Sequence, residues 1–176
     1  MILRFLLALF VLSPILLASN NFAATKTLPA PTKNYAKSGQ PVKTKYFSVT
    51  LPSGWVMPEQ IKSRQGGLTC VFLHPKSMNT VNLSIFDIPE KTDKFAKYVA
   101  DTMKKSGLKT GKLEKVGALY RIPINDKAKG EGWFACDGKT CVSSVILGEK
   151  LDKGAVNSFL SAFRPVSQTI FPKKMK

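Results

Sequence analysis

The sequence has 176 residues, with 27 Lys and Arg against 11 Asp and Glu, which gives a formal charge of +16 at pH 7. That length supports one domain with a genuine hydrophobic core and excludes two domains of ordinary size. One histidine and three cysteines are too few ligands for the usual zinc sites, so no metal or other cofactor is expected.

Residues 1–24 have the pattern of a secretory signal peptide. Arg4 supplies a positive charge, residues 5–17 are almost wholly apolar, and small or polar residues follow at 18–24. The alternative is an uncleaved anchor, but the apolar run is shorter than the roughly 20 residues of a spanning helix and contains a proline. We therefore expect cleavage near residue 24, a periplasmic or secreted location and no transmembrane span in the mature chain.

Residues 25–45 predict a disordered basic linker. They contain five lysines, three prolines and no acidic residue, and they cannot bury enough surface to offset chain entropy. A flexible tether is the favoured interpretation, and a basic arm that touches an anionic partner is the alternative. Residues 167–176 are predicted to form a basic C-terminal tail, which leaves residues 46–166 as a single folded domain.

The predicted domain opens with a β-strand, because Phe47, Val49 and Leu51 alternate with polar residues. The polar, glycine-containing segment 59–67 predicts a loop or a single helical turn. Pro123 places its strand at a sheet edge, or ends it there. Further strands are predicted over residues 68–73, 81–88, 112–116 and 118–124.

Two amphipathic helices are also predicted. The first spans residues 92–106, where Thr92 or Asp93 can cap it, and Phe95, Val99 and Met103 form an apolar stripe. The second begins after the capping residue Asp152 and ends at 164–165. Several antiparallel strands, with one helix between them and one at the end, predict an α+β sandwich.

Residues 130–147 predict a β-hairpin with a cysteine on each side of its turn. Asp137-Gly138 suits the turn, since glycine accepts positive φ. A four-residue loop would place Cys136 and Cys141 opposite each other and within disulfide reach. An exported chain permits any of the three possible pairings, but this short hairpin favours Cys136–Cys141 and leaves Cys70 as a buried free thiol. The spacing is not Cys-x-x-Cys, which argues against redox chemistry.

Two stretches resemble a known family. Residues 46–55, YFSVTLPSGW, are similar to the opening strand and turn of PsbP-like domains, and residues 159–165, FLSAFRP, are similar to their final helix. That family includes the photosystem II extrinsic subunit and DcrB-type bacterial envelope lipoproteins. The resemblance covers about residues 45–166 and implies a central antiparallel sheet with helices on both faces, an α/β/α sandwich. It also implies a binding or accessory role. The chain departs from the lipoproteins because no lipid-attachment cysteine follows the apolar run.

Catalytic constellations are weak in this sequence. Cys70 and His74 share one face of a predicted strand but lie about 13 Å apart, at 3.3 Å per residue. That distance excludes a nucleophile–base pair. A small exported hydrolase with a carboxylate-based site, not identifiable from the sequence, is retained as the alternative to a non-catalytic protein.

Lysines on the first helix are the broadest functional indication. Lys94, Lys97, Lys104 and Lys105 lie opposite the apolar stripe. Nucleic-acid binders pair such patches with exposed aromatic residues, whereas the aromatics here fall on core-facing positions, so nucleic acid is not an expected partner. One interpretation is simply a solvated helix face. The other is an exported, non-catalytic binding or accessory protein of the bacterial envelope that engages an acidic protein or an anionic envelope surface.

Overall fold

The computed structural model describes residues 35–64, 66–167 and 170–175. The predicted signal peptide, residues 1–24, lies outside that part of the chain. No helix among the described residues is long and apolar enough to cross a membrane. The strands are β1 (Pro41–Lys43), β2 (Phe47–Thr50), β3 (Lys62–Arg64), β4 (Gly67–His74), β5 (Asn79–Phe86), β6 (Glu114–Val116), β7 (Leu119–Asn125), β8 (Lys129–Cys136), β9 (Cys141–Gly148) and β10 (Phe163–Pro165), and the helices are α1 (Thr92–Lys105) and α2 (Lys153–Ala162).

Seven strands form the main sheet, in the order β3-β4-β5-β9-β8-β7-β6, and every neighbouring pair is antiparallel. The middle strand β9 is buried along its whole length. Val142 and Ile146 belong to the core on one face of this strand, and Cys141 and Val145 to the core on the other. A strand between two cores must be apolar on both faces, which explains the continuous hydrophobic run.

Helix α1 packs on one face of the main sheet, over β7, β8 and β9. Its predicted apolar stripe is confirmed, since Phe95, Val99 and Met103 are at most 2% exposed. They share a core with Ile122 and Phe134. Full burial of each such side chain contributes about 1.5–3 kcal/mol, so packing on the sheet holds this helix in place.

Helix α2 and a second sheet cover the opposite face. The second sheet has three antiparallel strands in the order β1-β2-β10. Phe159 of α2 lies 4.7 Å from the Trp55 ring and 4.8 Å from the Phe72 ring, centroid to centroid, and the Trp55 indole N–H donates to the Ala155 carbonyl at 3.2 Å. The predicted α+β class, with helices on both faces of a central antiparallel sheet, is therefore confirmed.

The start of the domain differs from the prediction. Residues 35–45, assigned to the linker, are folded against the rest of the chain. Val42 in β1 is 6% exposed and pairs with Val49, and Ala36 bridges to Met57. The composition of this segment predicted a linker because only two small apolar side chains, Ala36 and Val42, enter the core, while the lysines around them are exposed.

The C-terminal segment differs as well. Phe163 begins β10 instead of closing the last helix, and it stacks on Phe47 of β2 at 4.7 Å. Within the predicted basic tail, Ile170, Phe171 and Met175 are each at most 5% exposed. These apolar residues pack on the core while the lysines between them face solvent.

Two smaller differences concern the edges of the main sheet. The segment predicted as a loop over 59–67 contains the edge strand β3, which pairs with β4 over three residues. At the other edge, β7 is covered by the short strand β6. Pro123 lies beyond the end of that pairing, where its carbonyl accepts from the Gly111 N–H at 2.8 Å. Its missing N–H leaves out the reciprocal bond, which is tolerated where the regular pairing has ended.

Candidate functional site

The four predicted lysines of α1 all face solvent. We call them the α1 lysines: Lys94, Lys97, Lys104 and Lys105. Among the described residues, none of the four has a carboxylate within ion-pairing distance. Two acids, Asp93 and Asp101, are also exposed on α1. The helix therefore presents four ammonium groups without a directly paired carboxylate, and the two acids reduce its net positive charge.

The cysteine hairpin has the predicted geometry. Cys136 and Cys141 form a disulfide with their Cα atoms 4.1 Å apart, and they pair across β8 and β9. The four-residue turn contains Gly138 with φ of +88°, and Asp137 accepts from the backbone N–H groups of residues 139 and 140. Burial disfavours the Asp137 carboxylate, but these hydrogen bonds outweigh it and hold its pKa below the usual range.

The hairpin is tied to the start of α1. The Thr92 hydroxyl donates to the Cys136 carbonyl and accepts from the Cys136 N–H, both at 3.1 Å. Thr92 is therefore not the helix cap. The N-cap position is Lys91, which makes no side-chain capping bond. The prediction that Thr92 or Asp93 caps α1 was wrong, because the hydroxyl pairs with the neighbouring strand instead.

Cys70 and His74, which strand spacing argues are too far apart to form a catalytic pair, have separate environments. Cys70 is a free, buried thiol, as predicted, and burial raises its pKa far above the usual range. His74 instead contacts Ser77, with Nδ1 2.7 Å from the hydroxyl oxygen. The other side of the imidazole faces Gly54, where even a methyl group would collide with Nε2.

Asn79 makes that histidine–serine contact part of a structural connection. Its side-chain amide donates to Ser77, and its carbonyl oxygen accepts from the Asp152 N–H at 3.1 Å. Asp152 in turn accepts from the Ala155 N–H at 3.0 Å as the cap of α2. Asn79 is fully buried. The cluster joins the β4–β5 turn to the start of α2, and His74 takes part in this connection through Ser77.

A buried ionic cluster on the main sheet was not predicted. Glu131 is 5% exposed, accepts from the Trp133 indole at 3.0 Å and pairs with Arg121 at 2.7 Å. Arg121 also reaches the exposed Glu114 at 3.2 Å. Burial of a charge requires such partners. The sequence contained one indication of this cluster, because the acidic residue Glu131 lies two positions before Trp133 and therefore on the same core-facing side of β8.

A groove opens between the two sheets. The first wall consists of Tyr35 and residues 43–46, at the turn between β1 and β2. The second wall consists of residues 60, 61, 63 and 66–68. The volume of the groove is about 500 Å³. We call it the inter-sheet groove. Asp87 connects the walls, because its N–H donates to the Gly66 carbonyl at 2.7 Å while its carboxylate pairs with Lys45 at 2.9 Å. Sequence reasoning missed this groove because its walls are far apart along the chain.

Known structures provide a comparison at the level of the fold. The solution structure of cyanobacterial PsbP from Synechocystis sp. PCC 6803 is similar over 80% of this chain and 98% of its own, with 13% identity and a TM-score of 0.45. A crystal structure from Bacteroides thetaiotaomicron VPI-5482 is similar over 77% of this chain and 49% of its own, with 11% identity and a TM-score of 0.36. The first of these structures bears the family name expected from residues 46–55 and 159–165, and a similarity of fold does not by itself assign a function.

No family model matches the sequence, and no curated protein matches it significantly. Among the described residues, no group of three or more His, Cys, Asp or Glu is arranged to hold a metal ion.

Proposed function

We propose that this protein is an exported, non-catalytic binding module that engages an acidic partner protein through the α1 lysines. The observation that carries the proposal is the α1 surface itself, on which four exposed ammonium groups have no carboxylate within ion-pairing distance among the described residues. A partner with a cluster of carboxylates would supply the missing counter-charges. Long-range attraction of this kind mainly accelerates association and orients the two proteins.

Export is the second part of the proposal. The Cys136–Cys141 disulfide supports it, because disulfides persist in oxidising compartments such as the periplasm. The apolar segment 5–17 supports it independently. N-terminal sequencing of the protein recovered from its own cell envelope should return a chain beginning near residue 24. An intact Met1 in a membrane pellet would contradict export with cleavage.

A non-catalytic role is the third part. The two candidate residues weighed in the sequence support it: Cys70 is a core thiol, and His74 is held between Ser77 and Gly54. The alternative of a carboxylate-based hydrolase gains nothing from Glu131, which is ion-paired with Arg121 and accepts from the Trp133 indole.

The decisive experiment compares three forms of the protein as bait for proteins of its own envelope fraction. The test variant replaces all four α1 lysines by glutamine. The matched control replaces four exposed lysines outside α1, at positions 62, 76, 139 and 150, and has the same net charge. We expect the partner to bind the wild type and the control but not the test variant. Binding should also weaken steeply with added salt, because exposed charges are screened beyond about 8 Å at physiological ionic strength.

Two outcomes would contradict the proposal. Equal loss in the test variant and the control would mean that net charge, not the α1 surface, attracts the partner. The three forms are also mixed with anionic phosphatidylglycerol vesicles. If they bound these vesicles and captured no protein, the partner would be an anionic envelope surface and not an acidic protein. Circular dichroism of the test variant should match the wild type, since the replaced side chains face away from the buried stripe.

A further inference from the structure

The inter-sheet groove has the composition of an anion site. Two of its side chains are lysines, and among the described residues that line it none is acidic. Lys43 has no ion-pair partner within the part of the chain that the structure describes. Tyr35, Gln60 and Ser63 line the groove with side-chain groups that can also donate to an anion. The hydroxyls of Thr44 and Tyr46 already donate to protein acceptors.

The first wall of the groove is rigid. The Thr44 hydroxyl accepts from the N–H groups of Tyr46 and Phe47, both at 3.1 Å, and the Thr44 N–H donates to the Phe47 carbonyl at 2.9 Å. This closes the β1–β2 turn with side-chain and backbone bonds together. Because Lys43 is the last residue of β1, its backbone is fixed at the mouth of the groove.

Lys45 is held in place on the same wall. Its ammonium pairs with Asp87 at 2.9 Å and lies 4.7 Å from the centre of the Tyr46 ring. The Tyr46 hydroxyl donates to the same carboxylate at 2.7 Å. An ammonium group has three donors, so Lys45 keeps donors for a ligand while Asp87 fixes its position. Such preorganisation reduces the entropy lost on binding.

The groove also has an apolar part. Ile61 and Leu68 line the second wall, and the rings of Tyr46 and Tyr35 line the first. Tyr35 is 54% exposed, which leaves its ring available at the rim. The volume of about 500 Å³ lies within the range of small-molecule sites, which combine a mostly apolar lining with a few placed polar groups.

We propose that the inter-sheet groove binds a small organic anion, an aromatic carboxylate or phosphate ester. Lys43 and Lys45 hold the anionic group, and the flat body of the ligand lies against Tyr35 and Leu68. This site is separate from the α1 lysines and does not depend on the acidic partner proposed for them.

Phenyl phosphate is a suitable probe, titrated into the ¹⁵N-labelled full chain and followed by the backbone amide signals. We expect saturable shifts confined to Tyr35 and to residues 43–46, 60–64 and 66–68. Inorganic phosphate, which lacks the ring, and benzyl alcohol, which lacks the charge, should both bind more weakly, benzyl alcohol by about fivefold. An exposed charge pair contributes up to about 1 kcal/mol, which corresponds to about fivefold in affinity.

Four variants locate the interaction. Lys43→Gln should weaken phenyl phosphate binding by about fivefold, and Lys115→Gln, which makes the same charge change at the opposite edge of the sheet on β6, should leave it unchanged. Tyr35→Ala should weaken phenyl phosphate binding without changing the response to inorganic phosphate. The quadruple α1 variant should bind phenyl phosphate as the wild type does.

Equal weakening in Lys43→Gln and Lys115→Gln would overturn the site, because it would show attraction to net charge alone. Shifts that do not saturate, or that centre on residues outside the groove, would overturn it equally. All of the replaced side chains are exposed, and unchanged amide spectra of the free variants would exclude misfolding as the cause of lost binding.

Discussion

The Tyr46 hydroxyl and the Asp87 carboxylate meet at 2.7 Å across 41 residues of sequence, and this contact joins the two sheets. Asp87 directly follows β5 of the main sheet, and Tyr46 directly precedes β2 of the small sheet. Lys45 strengthens the contact by pairing with the same carboxylate. These three side chains set the separation of the groove walls. The contact that holds the two sheets together therefore also shapes the proposed anion site.

Acid should weaken this connection. Burial disfavours the Asp87 carboxylate, but hydrogen bonds from Lys45 and Tyr46 outweigh it and hold its pKa below the ordinary 3.8. A lowered folded-state pKa stabilises the protein above the unfolded-state value, and this contribution is lost as the pH falls through the folded value. The free energy of unfolding of Asp87→Asn should therefore be lower than that of the wild type at neutral pH by up to about 1 kcal/mol. The difference should shrink as the pH falls below 3.8 and through the folded-state pKa.

Urea denaturation of both proteins at neutral pH and at a series of pH values below 3.8 provides the measurement. Asp101→Asn is the control, because Asp101 is exposed on α1 and makes no ion pair within the described residues. Its unfolding free energy should differ little from wild type at either pH. A difference between Asp87→Asn and wild type that persisted unchanged into acid would show that the carboxylate charge is not what joins the sheets.

The disulfide should stabilise the fold by a moderate amount. Closing a six-residue loop contributes about 2 kcal/mol in the chain-entropy treatment. Replacing both Cys136 and Cys141 by serine should lower the unfolding free energy by about that amount and loosen the start of α1, because Thr92 bonds to the Cys136 backbone. Amide hydrogen exchange at the first turn of α1 would report the loosening. Replacing Thr92 by valine in the oxidised protein should produce the same local change without loss of the disulfide.

Counting free thiols tests which cysteines form the disulfide and which one is free. Oxidised protein should contain one reactive thiol, Cys70, that is alkylated only after unfolding, because the side chain is buried and its raised pKa keeps it protonated. Peptide mapping should join residues 136 and 141. Alkylation of Cys70 in the native protein would contradict its place in the core.

Elements with local signals could be predicted from the sequence, and elements held by remote partners could not. The spacing of Phe95, Val99 and Met103 predicts α1 because all three residues belong to the same short segment. The turn between Cys136 and Cys141 predicts a hairpin because the two strands that it connects directly precede and follow it in the sequence. In these cases the residues that form the element also carry its pattern.

Strands β1 and β3 lack such patterns. Each has three residues and is fixed by pairing with a neighbour, so Val42 becomes a core residue only because Val49 lies opposite it. The candidate sites divide in the same way. The α1 lysines follow from the helix period, whereas the groove requires Asp87 to meet Lys45 through a sheet arrangement that no single segment encodes.

Arg121 should be more important for stability than its partial exposure suggests. Its side chain is 19% exposed and neutralises Glu131, whose side chain is 6% exposed. Replacing Arg121 by methionine would leave a buried carboxylate with only the Trp133 indole as partner, and loss of one member of a buried pair costs about 3–5 kcal/mol. The double variant with Glu131→Gln should recover much of that loss, because the amide still accepts from the indole without a charge. Thermal unfolding of the single and double variants measures the coupling. Additive effects would show that the two groups do not depend on each other.

The C-terminal segment should act as part of the core. Phe171 is 5% exposed and lies 5.0 Å from the Phe163 ring, centroid to centroid, and the Met175 N–H nearby donates to the Asn157 side chain on α2 at 2.8 Å. Phe171→Ala should therefore lower the unfolding free energy by about 3 kcal/mol, near the lower end for a buried phenylalanine.

The matched control replaces the adjacent lysines 173 and 174, both exposed, by alanine. Surface substitutions of this kind change stability by less than about 0.5 kcal/mol. Urea denaturation of the three proteins separates the two interpretations of residues 167–176. A basic tail outside the core would make all three equally stable, whereas packing on the core requires that Phe171→Ala alone be destabilised. Because Phe163 pairs through β10 with β2, the same substitution should also increase amide exchange at residues 47–49, which a detached tail could not do.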